Sequence, residues 1–172
     1  MKIFQENMED YQVRRLDQSD AENVLALMKT NPGYFSYLQE KEVTYEQVIE
    51  DMTELPPNTD ASAKYFVGFY QNDKLDAIMD YIDGYPEKNT LFIGLFMIHG
   101  INQGKGYGKR IMLDFMRRAK LDGYEFVRLG CVDHNKEGFA FWSSLGFTEI
   151  KRVVSSGENR KDWNVIIMQY SL

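Results

Sequence analysis

Between Gln103 and Lys109 the chain reads Gln-Gly-Lys-Gly-Tyr-Gly-Lys, with three glycines set at alternate positions. An apolar run, Leu91 to Ile98, precedes this segment. Ile111, Met112, Phe115, Met116 and Ala119 follow it at helical spacing. The first turn of a helix leaves backbone N–H groups without partners and carries a positive partial charge. Glycines let an anion approach those groups closely. Lys105, Lys109 and Arg110 add formal charge at the same place. The segment is therefore read as a turn that holds a pyrophosphate at the head of a helix. A plain flexible connection would not explain alternating glycines beside clustered lysines.

Spacing separates the nucleotides. A dinucleotide fingerprint, G-x-G-x-x-G, needs a glycine where Lys109 stands. A Walker A loop needs Ser or Thr after Gly-Lys, and Gly108-Lys109 is followed by Arg110. The pattern that fits is Gln/Arg-x-x-Gly-x-Gly/Ala, met by Gln103, Gly106 and Gly108. Further on, Asn135-Lys-Glu-Gly-Phe-Ala-Phe-Trp-Ser-Ser-Leu-Gly-Phe147 supplies a second segment. Together the two resemble the coenzyme A loop and the Asn-…-Ala-…-Tyr-…-Gly-Phe helix of the GCN5-related N-acetyltransferase (GNAT) superfamily. The resemblance is specific over Leu91 to Phe147 and topological elsewhere.

That resemblance implies acetyl-CoA as co-substrate and no metal. The backbone of Gln103, Gly104, Lys105, Gly106, Tyr107, Gly108 and Lys109 would hold the pyrophosphate. The backbone near Met97, Ile98 and His99 would meet the pantetheine arm and polarise the thioester carbonyl. Asn135 would contact the arm, although a plain helix cap also suits it. Trp142 stands where many members carry the tyrosine that protonates the leaving thiolate. An indole N–H donates a hydrogen bond but is no general acid near neutral pH, so Trp142 is expected to pack beside the cofactor. Thiols ionise near pH 8.5, and direct attack of an amine on the thioester, with the thiolate stabilised or protonated through water, does not need that tyrosine.

The attacking amine must first lose a proton. Asp80 and His99 are the candidate bases, with Asp83 and His134 as further ones; solvated turn or strand-end roles compete for each. Two histidines, far apart in sequence, do not suggest a metal site. Cys131 falls inside an expected strand and reads as a small core residue. Tyr34, Phe35, Tyr37 and Tyr45 could wall the acceptor site or simply pack.

The elements that must position these groups follow from pattern. Val13 to Leu16 is a short strand. Asp17 to Asp20 opens a helix carrying Ala21, Val24, Leu25, Leu27 and Met28, and Asn31-Pro-Gly33 ends it. Thr44-Tyr-Glu-Gln47 fits a capping box for a second helix, which Pro56-Pro57 stops. Tyr65 to Tyr70 and Leu75 to Asp83 form strands about a turn at Gln71 to Lys74. Leu91 to Ile98 reads as a buried central strand, followed by the long helix and its Gly123 cap. Glu125 to Val132 is a strand, Lys136 to Leu145 a helix, and Phe147 to Val154 with Trp163 to Tyr170 a closing hairpin around Ser155 to Lys161. The expected fold is α/β (α+β): a mixed, mostly antiparallel sheet of about seven strands with helices on both faces, residues 1–172 forming one acyltransferase domain.

Composition narrows the partners. Twenty basic against 26 acidic residues give −6, which argues against nucleic acid. Acids at Glu50-Asp51 and from Asp80 to Asp83 would suit a cationic acceptor. One cysteine excludes an internal disulfide. Met1 to Tyr11 has acids and no apolar run, so no signal peptide is expected. Leu91 to Ile98, the longest strongly apolar stretch, is far too short to span a bilayer, so no membrane partner is expected and the cytoplasm is the default location. The apolar strand Val165 to Met168 could pair across a homodimer. The expected function is transfer of acetyl from acetyl-CoA to a primary amine of a small molecule or peptide. The alternative is a module that senses acetyl-CoA without turning it over.

Overall fold

The computed structural model describes residues 3–4, 8, 10–38, 42–157 and 160–172, with backbone alone at 37–38, 155–157 and 160–163. Seven strands, β1 (Gln12–Arg15), β2 (Lys64–Gln71), β3 (Lys74–Asp83), β4 (Thr90–Ile98), β5 (Phe126–Val132), β6 (Thr148–Gly157) and β7 (Arg160–Ser171), form one sheet in the order β1-β2-β3-β4-β5-β7-β6. Neighbours run antiparallel except β4 and β5, which are parallel. Among the described residues five α-helices accompany them: α1 (Ala21–Lys29), α2 (Pro32–Leu38), α3 (Tyr45–Thr53), α4 (Tyr107–Leu121) and α5 (Lys136–Ser144). This is the mixed, mostly antiparallel sheet that the sequence pattern predicts.

Alternation along the strands divides two cores. Val67, Phe69, Met79, Tyr81, Ile93 and Leu129 pack with Ile111, Met112 and Phe115 of α4. On the opposite face Phe66, Ile78 and Met97 pack with Val24, Leu27 and Met28 of α1 and Val48 and Met52 of α3. Asp80 lies two residues beyond Ile78, so the same alternation carries it to the α1–α3 face.

Local chemistry sets the helix ends. Thr44 Oγ1 accepts from Gln47 N (3.3 Å) and Gln47 Oε1 accepts from Thr44 N (3.0 Å), the reciprocal cap expected of this sequence. The β2–β3 turn places Asn72 and Asp73 at positive φ, as a tight hairpin requires. Two elements differ from expectation. Asn31-Pro-Gly33 ends α1 but also starts α2, because proline suits the first turn of a helix, where its missing N–H would have no partner. The final hairpin pairs as far as Gly157 with Arg160, so its turn is tighter than Ser155 to Lys161; residues 158 and 159 lie outside the described residues. Both edges of β7 are taken, by β5 and β6, so Val165 to Met168 offers no edge to a second copy.

Phe115 is fully buried, 5.3 Å from the Tyr81 ring and 5.8 Å from Phe4. Phe115→Ala should lower the unfolding free energy by about 3–5 kcal/mol in urea titrations. A loss under about 1 kcal/mol would mean that α4 is not docked as described.

Candidate functional site

The parallel β4–β5 ladder is short. It pairs Thr90 with Phe126 through Ile93 with Leu129 and then stops. Beyond it β4 continues along β3 to Ile98, while β5 continues along β7 to Val132. A wedge opens between them. It begins at a bulge: Asp80 faces Leu95 while Tyr81 faces Ile93, which leaves Gly94 as the extra residue. A Cβ on Gly94 would collide with Asp80 Oδ2, so a side chain there would push the Asp80 carboxylate from its place.

Past the bulge, His99 N donates to Asp76 O (2.8 Å). Antiparallel alternation then turns the backbones of Leu95, Met97 and His99 toward β3 and those of Phe96 and Ile98 toward the wedge. Of the three expected arm contacts, Ile98 therefore faces the open side, whereas the backbones of Met97 and His99 are turned to β3. Ile98 O accepts from Asn31 Nδ2 (3.2 Å) and Gln103 Nε2 (3.3 Å). Gln103 Nε2 also donates to Asn31 Oδ1. Thr30 Oγ1 accepts from Gly100 N (2.8 Å). The side chain of Gln103 thus ties the exit of β4 to the end of α1.

The glycine turn follows. Gly104 and Gly106 take φ of +71° and +84°, and a Cβ at either would meet nothing within 4 Å, so both stand open on the surface. The first α4 hydrogen bond runs from Arg110 N to Gly106 O (3.1 Å). The N–H groups of Tyr107, Gly108 and Lys109 therefore point out of the helix end. A Cβ on Gly108 would make ordinary contacts with Ile98 and Phe141, at 3.4 and 3.5 Å. Lys105 and Lys109 are exposed. Arg110 is engaged by Asp10 (2.5 Å) and lies over the Tyr107 ring. An anionic group fits this helix head.

On the other wall Asn135 caps α5, its Oδ1 accepting from Gly138 N (2.9 Å). Trp142 packs against Phe96, Phe141 and Phe147, with ring centroids 6.1, 4.9 and 5.4 Å away. Both residues line a cavity of about 70 Å³ in the wedge, with Tyr34, Gly94, Phe96 and Cys131. Burial pushes the Cys131 thiol up, as for a core residue.

Behind the wedge, on the α1–α3 face, lies a larger cavity of about 450 Å³. Tyr34, Gly94, Leu95, Gly130 and Val132 line both cavities, so the two meet at the bulge. Asp80 stands there. Its Oδ2 accepts from Lys64 Nζ at 2.8 Å; its Oδ1 is buried and has no partner among the described residues. Burial pushes its carboxyl up to about 6, Lys64 pulls it back, and nearby Glu54 adds to the rise. The other candidate bases stand elsewhere. His99 Nδ1 accepts from Ile101 N (3.3 Å) at the far end of β4. Asp83 accepts from the Tyr124 hydroxyl. His134 pairs with Asp133 (3.0 Å) on the surface. Phe35 lines the larger cavity with Tyr34, Tyr45 is exposed, and the Tyr37 side chain lies outside the described residues.

Sequence reasoning missed Lys64 and Gly94. A lone glycine inside an apolar strand run is a bulge signal that could have found Gly94. Lys64 carries no such signal, because a lysine at a strand start is ordinarily solvated.

Against known proteins, residues 3–147 match the model of the acetyltransferase (GNAT) family. The chain belongs to the GNAT acetyltransferase family. An acetyltransferase from Thermus thermophilus has the same fold, with a TM-score of 0.74 and 21% identity over 97% of this chain and 100% of that one. The ribosomal-protein-S18-alanine N-acetyltransferase of Escherichia coli gives 0.65 at 13% identity, covering 94% and 93%. The protein yncA of Salmonella typhimurium, solved with its cofactor acetyl-CoA, gives 0.62 at 14%, covering 95% and 94%. No curated protein matches significantly in sequence. Among the described residues no helix is long and apolar enough to cross a membrane.

Within this GNAT site Asp80 also leaves a mark on stability. Its folded value of about 6 lies above the ordinary 3.8. Between those values the native state holds a proton that the unfolded chain has released, so stability falls as pH rises through the window. Relative to Asp80→Asn, the wild type should lose about 2 kcal/mol between roughly pH 4 and 6.5. A flat difference in urea melts across that range would show that the carboxyl is not held as described.

Proposed function

We propose that the protein transfers the acetyl group of acetyl-CoA to a primary amine of a small molecule or peptide, with Asp80 as the general base. The observation that carries this reading is the buried Oδ1 of Asp80, without a partner among the described residues, at the junction of the wedge and the larger cavity. Residues 1–172 are taken as one acyltransferase domain, working in the cytoplasm.

The N–H groups of Tyr107, Gly108 and Lys109 and the open turn at Gly104 to Gly106 would hold the pyrophosphate, with Lys105 and Lys109 beside it. Phe96 and Ile98 offer backbone groups along the wedge, and Asn135 and Trp142 wall it. Acetyl-CoA supplies an activated thioester. The acceptor enters from the larger cavity, between Tyr34 and Phe35 and the acids Asp51 and Glu54. Its ammonium gives one proton to Asp80, its nitrogen forms the C–N bond as the C–S bond breaks, and the second proton that the nitrogen sheds passes through water to the departing thiolate. A carboxyl near 6 is ionised at neutral pH, so it can accept that proton. A volume of about 450 Å³ suits a small amine or the first residue of a peptide. The peptide option has a counterpart in the Escherichia coli neighbour, named for an alanine of a ribosomal protein.

A second reading, a sensor that binds acetyl-CoA without turnover, is favoured by Trp142 at the usual place of the tyrosine acid. The deciding experiment is acetyl-CoA-dependent thiol release over polyamines, amino acids, aminoglycosides and peptide N-termini. Binding without thiol release above hydrolysis would favour the sensor.

Asp80→Asn should lower kcat by about 10²-fold or more at unchanged acetyl-CoA affinity, whereas His99→Gln should leave kcat near the wild-type value. A reversed ranking would move the base to His99.

Gly106→Glu puts a negative charge on the open turn. Calorimetry should show acetyl-CoA binding lost, with far-UV circular dichroism retained and Gly106→Ala weakened less. Unchanged affinity in Gly106→Glu would remove the turn from the donor site.

A further inference from the structure

Lys64 lies in the cavity wall beside Asp80. It is only 7% exposed, a rare place for a lysine, and its Nζ sits 2.8 Å from Asp80 Oδ2. Its backbone is pinned as well, since Lys64 O accepts from Arg15 (2.6 Å). We propose that Lys64 is a positioning residue for acetyl transfer: it holds one oxygen of Asp80 so that the other meets the acceptor amine, and its charge disfavours the protonated amine. The proposal rests on the acetyl-transfer reading given above.

A purely structural ion pair explains the site poorly. Buried pairs add little net stability over apolar packing, and a structural carboxylate would have both oxygens satisfied. Here Oδ2 is held by Lys64 and lies where a side chain on Gly94 would stand, and Oδ1 is left buried at the cavity. The arrangement commits one oxygen and reserves the other.

The charges around Asp80 are unbalanced. Lys64 faces it from β2, Asp51 and Glu54 from α3 and its C-terminal end, and Tyr34 from α2. The neighbouring stretches of β4 and β5 bring Phe92, Leu95, Gly130 and Val132, which carry no charge. Lys64 is thus the one cation among the described residues of this wall. An alkyl ammonium ordinarily gives up its proton near pH 10.4, far above where Asp80 holds one. A like charge close by favours the neutral amine, and an opposite charge keeps the carboxyl ionised. Lys64 does both: it eases the loss of the amine's proton, and it keeps Asp80 ionised and open to that proton at lower pH.

The test compares wild type, Lys64→Met, Lys64→Gln and Lys64→Arg. Gln can still donate to Oδ2 without the charge, which keeps the test open if Met at this place unfolds the protein. Thiol release measured from about pH 5 to 9.5 should show the acid limb of kcat/KM moved up by about one unit or more in the Met and Gln variants. Acetyl-CoA affinity should hold, and Arg should restore the limb. Carbon-detected NMR should show the Asp80 carboxyl titrating higher in the same two variants, a readout that does not need turnover. An unmoved limb and an unmoved Asp80 titration, with only a lower melting temperature, would overturn the proposal. If the wild type releases no thiol with any amine, the acetyl-transfer reading fails and the proposed role fails with it; an unmoved titration beside active wild type overturns the Lys64 role alone.

Discussion

Parallel pairing of β4 with β5 can be kept only while both strands follow the same course, and here it ends after Ile93 and Leu129. The candidate site is arranged about that parting. The extra residue at Gly94 turns β4 toward β3, and the missing side chain is what lets Asp80 lie against the bend. At the other end, Asn31 and Gln103 hold Ile98 O, and Thr30 holds Gly100 N, so the freed length of β4 is anchored at both ends. A strand edge exposed without such anchors would pair elsewhere or fray. The anchors keep a row of backbone groups available without letting them become a sheet.

The two sheet faces then divide the work. On the α4 side the wedge meets the positive end of a helix of 15 residues, where glycines and lysines suit an anion. On the α1–α3 side the cavity is walled by rings and acids, which suit a cation. The bulge is the place where the two environments touch, and Asp80 and Lys64 occupy it. Burying a carboxylate is costly, and so is burying an ammonium. Side by side they offset much of that cost, while the remaining oxygen stays poised for a third group. Trp142 serves the same junction. Its packing with Phe96, Phe141 and Phe147 stiffens the wall where α5 meets the wedge, a role that phenol chemistry is not needed to fill.

How much of this could be read from the chain depends on how local the signal is. The alternating glycines from Gly104 to Gly108, the Thr44–Gln47 cap and the strand runs are short-range patterns, and the structure carries them as elements. Asp80 could be named as a base, but not preferred over His99, because both sit near strand ends and only the register of β3 on β4 shows which of them reaches the larger cavity. Gln103 illustrates the opposite case. Its motif position is plain in the sequence, yet its side chain turns inward to Asn31 and Ile98, a contact across 72 and five residues that no local pattern encodes. The second start at Pro32 was hidden because Asn-Pro-Gly reads equally as a stop and as a fresh helix cap.

Net charge looks at first to oppose the donor site, since a chain of −6 should repel a polyphosphate. The distribution resolves this. Screening at physiological salt confines each charge to about 8 Å, so the helix head of α4, with Lys105 and Lys109 exposed on it, acts on an approaching anion more than distant acids do. Arg110 adds less, because Asp10 already holds it. The same short range would work for the proposed acceptor: Asp51 and Glu54 in the cavity lining would attract a cation, while the Lys64 ammonium would act only close to Asp80. An amine would thus be attracted as an ammonium and discharged where it must react. A single uniform charge on the cavity wall could favour one of those steps only at the expense of the other.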